Sequence, residues 1–451
     1  MEILKKFKKF LAVFLTVLCV LNSVTLIAGA KTTEHNPPIS QETAELRFAL
    51  KLGTSYRNAP TPPVVVDDVI IVLSGKKIYK IDAENGEILK EAEMIETPSF
   101  SYTPPTYSDG VVYCPLDNGV IQAFDFKTLK SKWVYRDELG GQSLTEIVIS
   151  DGCLYTGFWN DETENANYVC VSIKDENKKE THEEKFALWT YTHKGGFYWA
   201  KSVVIGAYIV FGSDDGTSSA DKKSFVFCLN KNTGKVVDSL EIKGDQRSGI
   251  CYDKGTKILY FVTKAGYLYS VKFSSGSFDE ASLKTLNLGG ASTSTPTLSD
   301  GRIYVGVQGE GFGKGYIKVI DAEKMSIVYS VSMKGYPQNE MTVSVQNRKT
   351  YIYSTYNSAP GGISVIETTD NATSAEAIDL FVPETGMQNY CISPIEVSED
   401  GTIFYKNDSG YIFAIENTEN QVETNAFLAF FADLFQSIAS FFRSIFGFLG
   451  F

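Results

Sequence analysis

Few residues in this chain could perform chemistry, and their spacing argues against most of it. Of the three histidines, His35 lies in a polar, Pro-containing stretch, while His182 and His193 flank Trp189 in a polar context. Neither a His-based triad nor a histidine metal cluster is legible there. Asp161-Glu162 and Asp214-Asp215-Gly216 lack the alternating oxygen spacing of a dedicated calcium loop and read as solvated loop charge. The segment GEGFGKG (309–315) lacks the Lys-Ser/Thr ending of a phosphate loop, so its glycines serve turns. Seven cysteines occur, and Cys19 belongs to an apolar leader. Cys114, Cys153, Cys170, Cys228, Cys251 and Cys391 stand singly in apolar runs with no CxxC spacing. This argues against zinc or dithiol chemistry and for buried thiols, with one or two disulfides as the alternative in an oxidising compartment. No catalytic residue and no metal ligand is assigned.

What remains is binding chemistry. Tyr56, Arg57, Trp159, Phe197, Tyr198, Trp199, Arg247, Tyr336 and Tyr390 are aromatic or guanidinium groups with polar neighbours such as Asn160, Gln338, Asn339, Gln388 and Asn389. Such groups suit stacking on sugar rings or clamping a peptide, and equally suit core packing.

The elements that must position them repeat. One strand phrase reads VIIVL (69–73), VVYC (111–114), CLYTGFW (153–159), YIVFG (208–212), ILYFV (258–262), RIYVGV (302–307), TYIYST (350–355) and TIFYK (402–406). A second follows each: KIYKID, VIQAFD, YVCVSIK, FVFCLN, YLYSVK, YIKVID, ISVIE and YIFAIE. Both are short, β-branched and aromatic, and are bounded by Gly, Asp and Asn, which is strand chemistry. The turn positions recur at intervals of 42 to 54 residues from Asp68 to Gly401. Four short strands at that period predict an all-β, eight-bladed β-propeller over residues 44–420, with seven blades as the nearest alternative count. Unit eight lacks an outer strand, and AELRFALKL (44–52) has the pattern to supply it. That pairing joins the two chain ends, because an unpaired edge would leave a row of backbone groups unsatisfied.

GVIQAFDFKTLKSKW (119–133) resembles the repeat of the PQQ-like propellers, the quinoprotein alcohol dehydrogenase-like and BamB-like family. GYIKVID (315–321), GYIFAIE (410–416) and FVFCLNKNTG (225–234) echo it. The resemblance covers about 60–420. Members that use pyrroloquinoline quinone (PQQ) with calcium carry two neighbouring cysteines over the cofactor, and this chain has no such pair. The repeat Trp survives at Trp133 and Trp189, with Phe48 and Tyr329 as stand-ins. The resemblance therefore implies the fold, and it implies PQQ with calcium only under a dehydrogenase reading.

Insertions 160–167, 213–223, 308–315 and 355–362 all fall between second and third strands. One face of the ring is thus expected to be variable, and the opposite face short and uniform. The candidate binding residues fall on the variable face.

The ends of the chain differ from its middle. Residues 1–30 read as a secretory signal: Lys5, Lys6, Lys8 and Lys9, then an apolar run, then Ala28-Gly29-Ala30. Removing them leaves a formal charge of −15, which disfavours nucleic acid as a partner. Residues 31–43 read as a linker. Residues 425–451 place Phe427, Phe430, Phe431, Leu434, Phe435, Ile438, Phe441, Phe442, Ile445 and Phe446 on one stripe of an amphipathic α-helix suited to a membrane surface or a partner protein. The sequence thus predicts an exported, non-enzymatic binding or scaffolding propeller at the cell envelope, with a glycan or envelope protein as ligand. The alternatives are a PQQ/calcium dehydrogenase, another propeller enzyme using the loop face, or an envelope assembly factor resembling BamB.

Overall fold

The computed structural model describes residues 31–33, 35–100, 102–215, 223–311 and 313–420. The leader and the amphipathic tail, with all ten of its stripe residues, lie outside the described residues.

Eight sheets, each built on four antiparallel strands, form the ring, one per predicted unit. Blade 1 shows the pattern: Val64–Val66, Val69–Ser74, Lys77–Asp82 and Ile88–Glu93, from the axis outward. First and second strands are joined by Asp-Gly turns in blades 2, 3 and 6. Both turn residues adopt positive φ, 48° and 78° at Asp109-Gly110 for example. Such turns match the right-handed twist of the hairpin. After the third strand, Asp125 Oδ1 accepts bonds from Thr128 N–H (2.8 Å) and Thr128 Oγ1–H (2.7 Å). This closes the Asp-x-x-Thr turn before the outer strand.

Neighbouring blades pack through apolar faces, and the repeat Trp explains how. Trp133, on the outer strand of blade 2, is fully buried and donates Nε1–H to Ile173 O of blade 3 (3.4 Å). Trp189 of blade 3 donates to Lys231 O of blade 4 (2.8 Å). Tyr329 stands in from blade 6, its hydroxyl 2.7 Å from Thr368 Oγ1 of blade 7. Phe48 stands in at blade 8, its ring filling the space above Gly86 of blade 1. The six cysteines outside the leader are free thiols. Burial pushes Cys228, Cys251 and Cys391 up to about 12, out of the reactive range.

Ala44–Lys51 pairs antiparallel with Tyr411–Asn417 as the outer strand of blade 8 and closes the ring. Arg47 on that strand donates to Glu416 Oε2 (2.8 Å) and Asp400 Oδ2 (2.6 Å).

Two features depart from the sequence reading. The segment expected as a linker is built into the ring: Lys31–Thr33 pairs in parallel with Thr342–Gln346, the innermost strand of blade 7, so it lies on the channel side. The next residues cross the face expected to be short. There Asn36 O accepts from Asn417 Nδ2 and Asn420 Nδ2, and Pro37 O accepts from Gln346 Nε2. That face also carries Glu183–Lys185, which leaves blade 3 and adds a parallel fifth strand to blade 2. Both pairings depend on backbone donors and acceptors, so no side-chain pattern announces them.

Candidate functional site on the loop face

In each blade the loop between second and third strands emerges on the same face as the link to the next blade. On this face aromatic rings form a continuous chain across the mouth of the channel. Tyr56, in the link from blade 8 to blade 1, meets Phe100 (centroids 6.1 Å apart), and Phe100 stacks on Tyr102 (6.2 Å). Tyr102 meets Trp199 edge-on (6.0 Å), Trp199 meets Tyr198 (4.8 Å), and Tyr198 meets Trp159 (5.1 Å). Edge-to-face geometry dominates, as the ring quadrupoles favour. Arg57 lies over Phe100 (4.7 Å) and Arg247 over Tyr198 (4.3 Å).

Two ion pairs anchor this arc. Arg247 is buried and holds Asp214 with two bonds of 2.8 Å, while its Nη2 also donates to Glu162 Oε1 (3.0 Å). Trp159 Nε1–H donates to the same Asp214 carboxylate (2.8 Å), which fixes the indole. Burial pushes the Asp214 carboxyl up and the Arg247 charge pulls it down. With the guanidinium in bidentate contact, the two groups form an ion pair. At the other end, Lys406 donates to Asp408 Oδ1 (2.9 Å), and Tyr102 O–H donates to Asp408 Oδ2 (3.3 Å). Burial first, then the Asp408 charge, raises the Tyr102 phenol far above its ordinary range, so it remains a donor.

The backbone under the arc is strained. Tyr56 (φ 54°) and Trp199 (φ 56°) are the only Phe, Tyr or Trp with positive φ among the described residues. For bulky side chains this conformation costs roughly 1–3 kcal/mol and persists only where surrounding structure enforces it. Gly195, four residues before Trp199, lets its link pass against the Asp214 backbone, since a Cβ there would fall 1.8 Å from Asp214 O.

Beneath the arc lies a channel cavity of about 530 Å³, with Tyr102 and Trp199 in its wall. Its charged lining is Glu146, Lys201, Lys254, Glu340 and Glu396. Lys201 Nζ lies 2.7 Å from Glu146 Oε2. Glu146 foremost, with Glu340 and Glu396, raises the lysine above its ordinary value against the cost of enclosure.

The predicted residues divide into groups. Tyr56, Arg57, Trp159, Tyr198, Trp199 and Arg247 come together in the arc. Phe197 and Tyr336 do not: Phe197 is fully buried against Tyr168 and Phe211, and Tyr336 is buried with its hydroxyl accepting Thr293 N–H (2.8 Å). Both are packing residues between blades, closed to a ligand. Tyr390 is exposed but lines a separate open cleft of about 740 Å³ with Lys334, Tyr356 and Asp379. Sequence reasoning missed Phe100 and Tyr102, which complete the arc. The alternation Phe100-x-Tyr102 between Pro98 and Pro104 in a blade link is the signal that could have found them.

The family model described as "Outer membrane protein assembly factor BamB" matches residues 40–158, the outer strand of blade 8 through the start of blade 3. No curated protein sequence matches the chain. Among solved structures, BamB from Moraxella catarrhalis superposes with a TM-score of 0.57 at 12% identity, covering 83% of this chain and 99% of that one. A europium-containing methanol dehydrogenase gives 0.61 at 11% identity, covering 83% and 87%. Quinohemoprotein alcohol dehydrogenase from Comamonas testosteroni gives 0.60 at 12%, covering 84% and 78%. At such identities these neighbours share the fold and say nothing further about this chain. The chain is an eight-bladed β-propeller that shares the fold of PQQ-type propeller proteins, and its residues 40–158 match the BamB family model.

Proposed function

We propose that this chain is an exported, non-enzymatic binding propeller of the cell envelope that takes a protein partner on the aromatic arc. One observation carries the reading: an aromatic chain crosses the channel mouth with both strained aromatics in it, and one of them, Tyr56, is 54% exposed. Strained, partly exposed aromatics on a rigid scaffold are what a recognition surface retains and a packing core does not need. The family match to an assembly factor supports a protein partner over a glycan.

The dehydrogenase reading fits less well. PQQ is a planar polycarboxylate, and it would meet three glutamates in the channel wall against Lys201 and Lys254. No two of the six cysteines are adjacent in sequence, and the two that approach each other, Cys153 and Cys170, do so inside blade 3 and do not line the channel cavity. Among the described residues, no three His, Cys, Asp or Glu side chains gather to hold a metal ion.

Anchoring through residues 425–451 belongs to the same reading. Liposome flotation of the chain with and without the segment from Asn425 onward separates a membrane surface from a protein contact. For the arc, a photo-crosslinking residue is placed at Tyr56 on the loop face, or at Ile88 on the outer rim, and the cells are irradiated. One defined protein adduct from position 56 and none from 88 supports the reading. Equal labelling from both positions, or none, overturns it. Glycan binding that Tyr56→Ala abolishes would transfer the site to a sugar ligand.

A further inference from the structure

We infer that Arg57 is the point at which the arc takes a carboxylate of its partner, so that the partner presents an acidic group beside an apolar side chain. The inference rests on the protein-partner reading above and adds the chemistry of what is recognised. It begins from a contrast between the two guanidinium groups of the arc. Arg247 is buried, and Asp214 and Glu162 take its donors. Arg57 is exposed and lies over Phe100, and among the described residues its side chain has neither an ion pair nor a hydrogen bond. The acids around it are already engaged. Asp408, whose carbonyl oxygen accepts Tyr56 N–H (3.1 Å), gives its carboxylate to Lys406 and Tyr102. In the neighbouring loop Glu96 faces Lys76 at 3.9 Å.

The link that carries Arg57 is fixed. Leu52 N–H and Gly53 N–H both donate to Gly410 O (3.0 and 3.1 Å), and Thr54 N–H donates to Asn58 O (3.1 Å). The fold of the link is close enough that a Cβ on Gly53 would fall 2.1 Å from Asn58 O. Phe100, under the guanidinium, is itself stacked on Tyr102, whose hydroxyl is bonded to Asp408. One face of the guanidinium is thus backed by a ring, while its N–H edge stays open. A planar fork of five donors matches the two oxygens of a carboxylate, and a ring-backed guanidinium has less freedom to lose on binding. A phosphate-rich ligand fits less well. It draws on several cations, whereas Lys406 beside this end is fully buried, and the chain as a whole carries a net charge of −12. The exposed Tyr56 ring, next to Arg57 in sequence, supplies the apolar contact beside the charge.

The test titrates the full chain, labelled with ¹⁵N at arginine, with three short peptides: acetyl-Phe-Glu-Gly-amide, acetyl-Phe-Gln-Gly-amide, and acetyl-Phe-Gln-Gly with a free carboxyl end. The side-chain N–H signal that disappears in Arg57→Lys identifies Arg57. That signal should shift saturably with the glutamyl peptide, and the glutaminyl amide should bind at least about tenfold more weakly. The third peptide separates the two sources of a carboxylate: whichever of the two acidic peptides binds more tightly names an acidic side chain or a chain terminus. Arg57→Lys keeps the charge and loses the fork. It should weaken the glutamyl peptide at least about fivefold, followed on the peptide's own ring protons, and leave the urea midpoint unchanged. Equal binding of all three peptides overturns the inference. So does a shift of the Arg57 signal by inorganic phosphate as large as that by the glutamyl peptide at equal concentration. If either happens while position 56 still yields its protein adduct, the partner reading stands without the carboxylate.

Discussion

The amino-terminal segment joins the ring twice, and the two attachments are built differently. Ala44–Lys51 is eight residues long, antiparallel to its neighbour, and tied by side chains: Arg47 reaches Glu416 and Asp400, and Phe48 packs on Gly86 of blade 1. Lys31–Thr33 is three residues long and parallel, and its register is a matter of backbone pairing. The first attachment is specified by residue types and carries the ring closure. The second uses an edge that happens to be open, and its free-energy contribution is small. Net gains near 1 kcal/mol per hydrogen bond are set against ordering costs of about 1–2 kcal/mol per residue.

The largest test of this contrast removes the outer strand. Deleting residues 44–51 leaves blade 8 with three strands and an open edge, and should abolish cooperative unfolding by urea altogether. Phe48→Ala is the milder form; losing a half-buried ring at the blade 8–1 seam should cost about 2–3 kcal/mol, read from the urea midpoint at constant slope.

Acid titration isolates the Arg47 cluster. Burial alone would raise Asp400, but the Ser398 hydroxyl, Arg47 and the Thr402 N–H outweigh it and hold the carboxyl at about 2, below its ordinary 3.8. A group depressed on folding stabilises above its unfolded value and stops doing so as pH falls through its folded value. The stability gap between the native chain and Asp400→Asn should therefore be full above about pH 4 and gone near pH 2. Deleting residues 31–33 should come next, shifting global stability by about 1 kcal/mol or less. If it costs as much as Phe48→Ala, the two attachments are equivalent and the contrast fails. Smallest is Tyr56→Gly, which touches neither attachment. It relieves a positive φ and should leave stability unchanged or raise it by up to about 1 kcal/mol, read from the urea midpoint.

Blade number and outer closure were legible because each rests on side-chain chemistry that recurs: β-branched runs, Asp-Gly turns, and an aromatic at the position of Trp133, Trp189 or Phe48. The Lys31–Thr33 and Glu183–Lys185 pairings were not, since any residue can donate a backbone N–H. At the site, proximity in sequence exposed Tyr198 and Trp199 but could not separate them from Phe197, which the same turn sends into the core. Phe100 and Tyr102 belong to a different blade link, and only the closed ring carries them to Trp199. The Asp214–Arg247 pair spans 33 residues and reads in sequence as loose loop charge.

The arc also gives the molecule a built-in optical gauge. Trp133 and Trp189 are buried between blades, whereas Trp159 and Trp199 both sit in the ring-to-ring chain over the channel. Two of the four indoles therefore stand on the surface proposed to take a partner, with tyrosines in ring contact beside them. Occupancy of that surface can be followed by intrinsic fluorescence on unlabelled material, and the two interior indoles serve as the constant background.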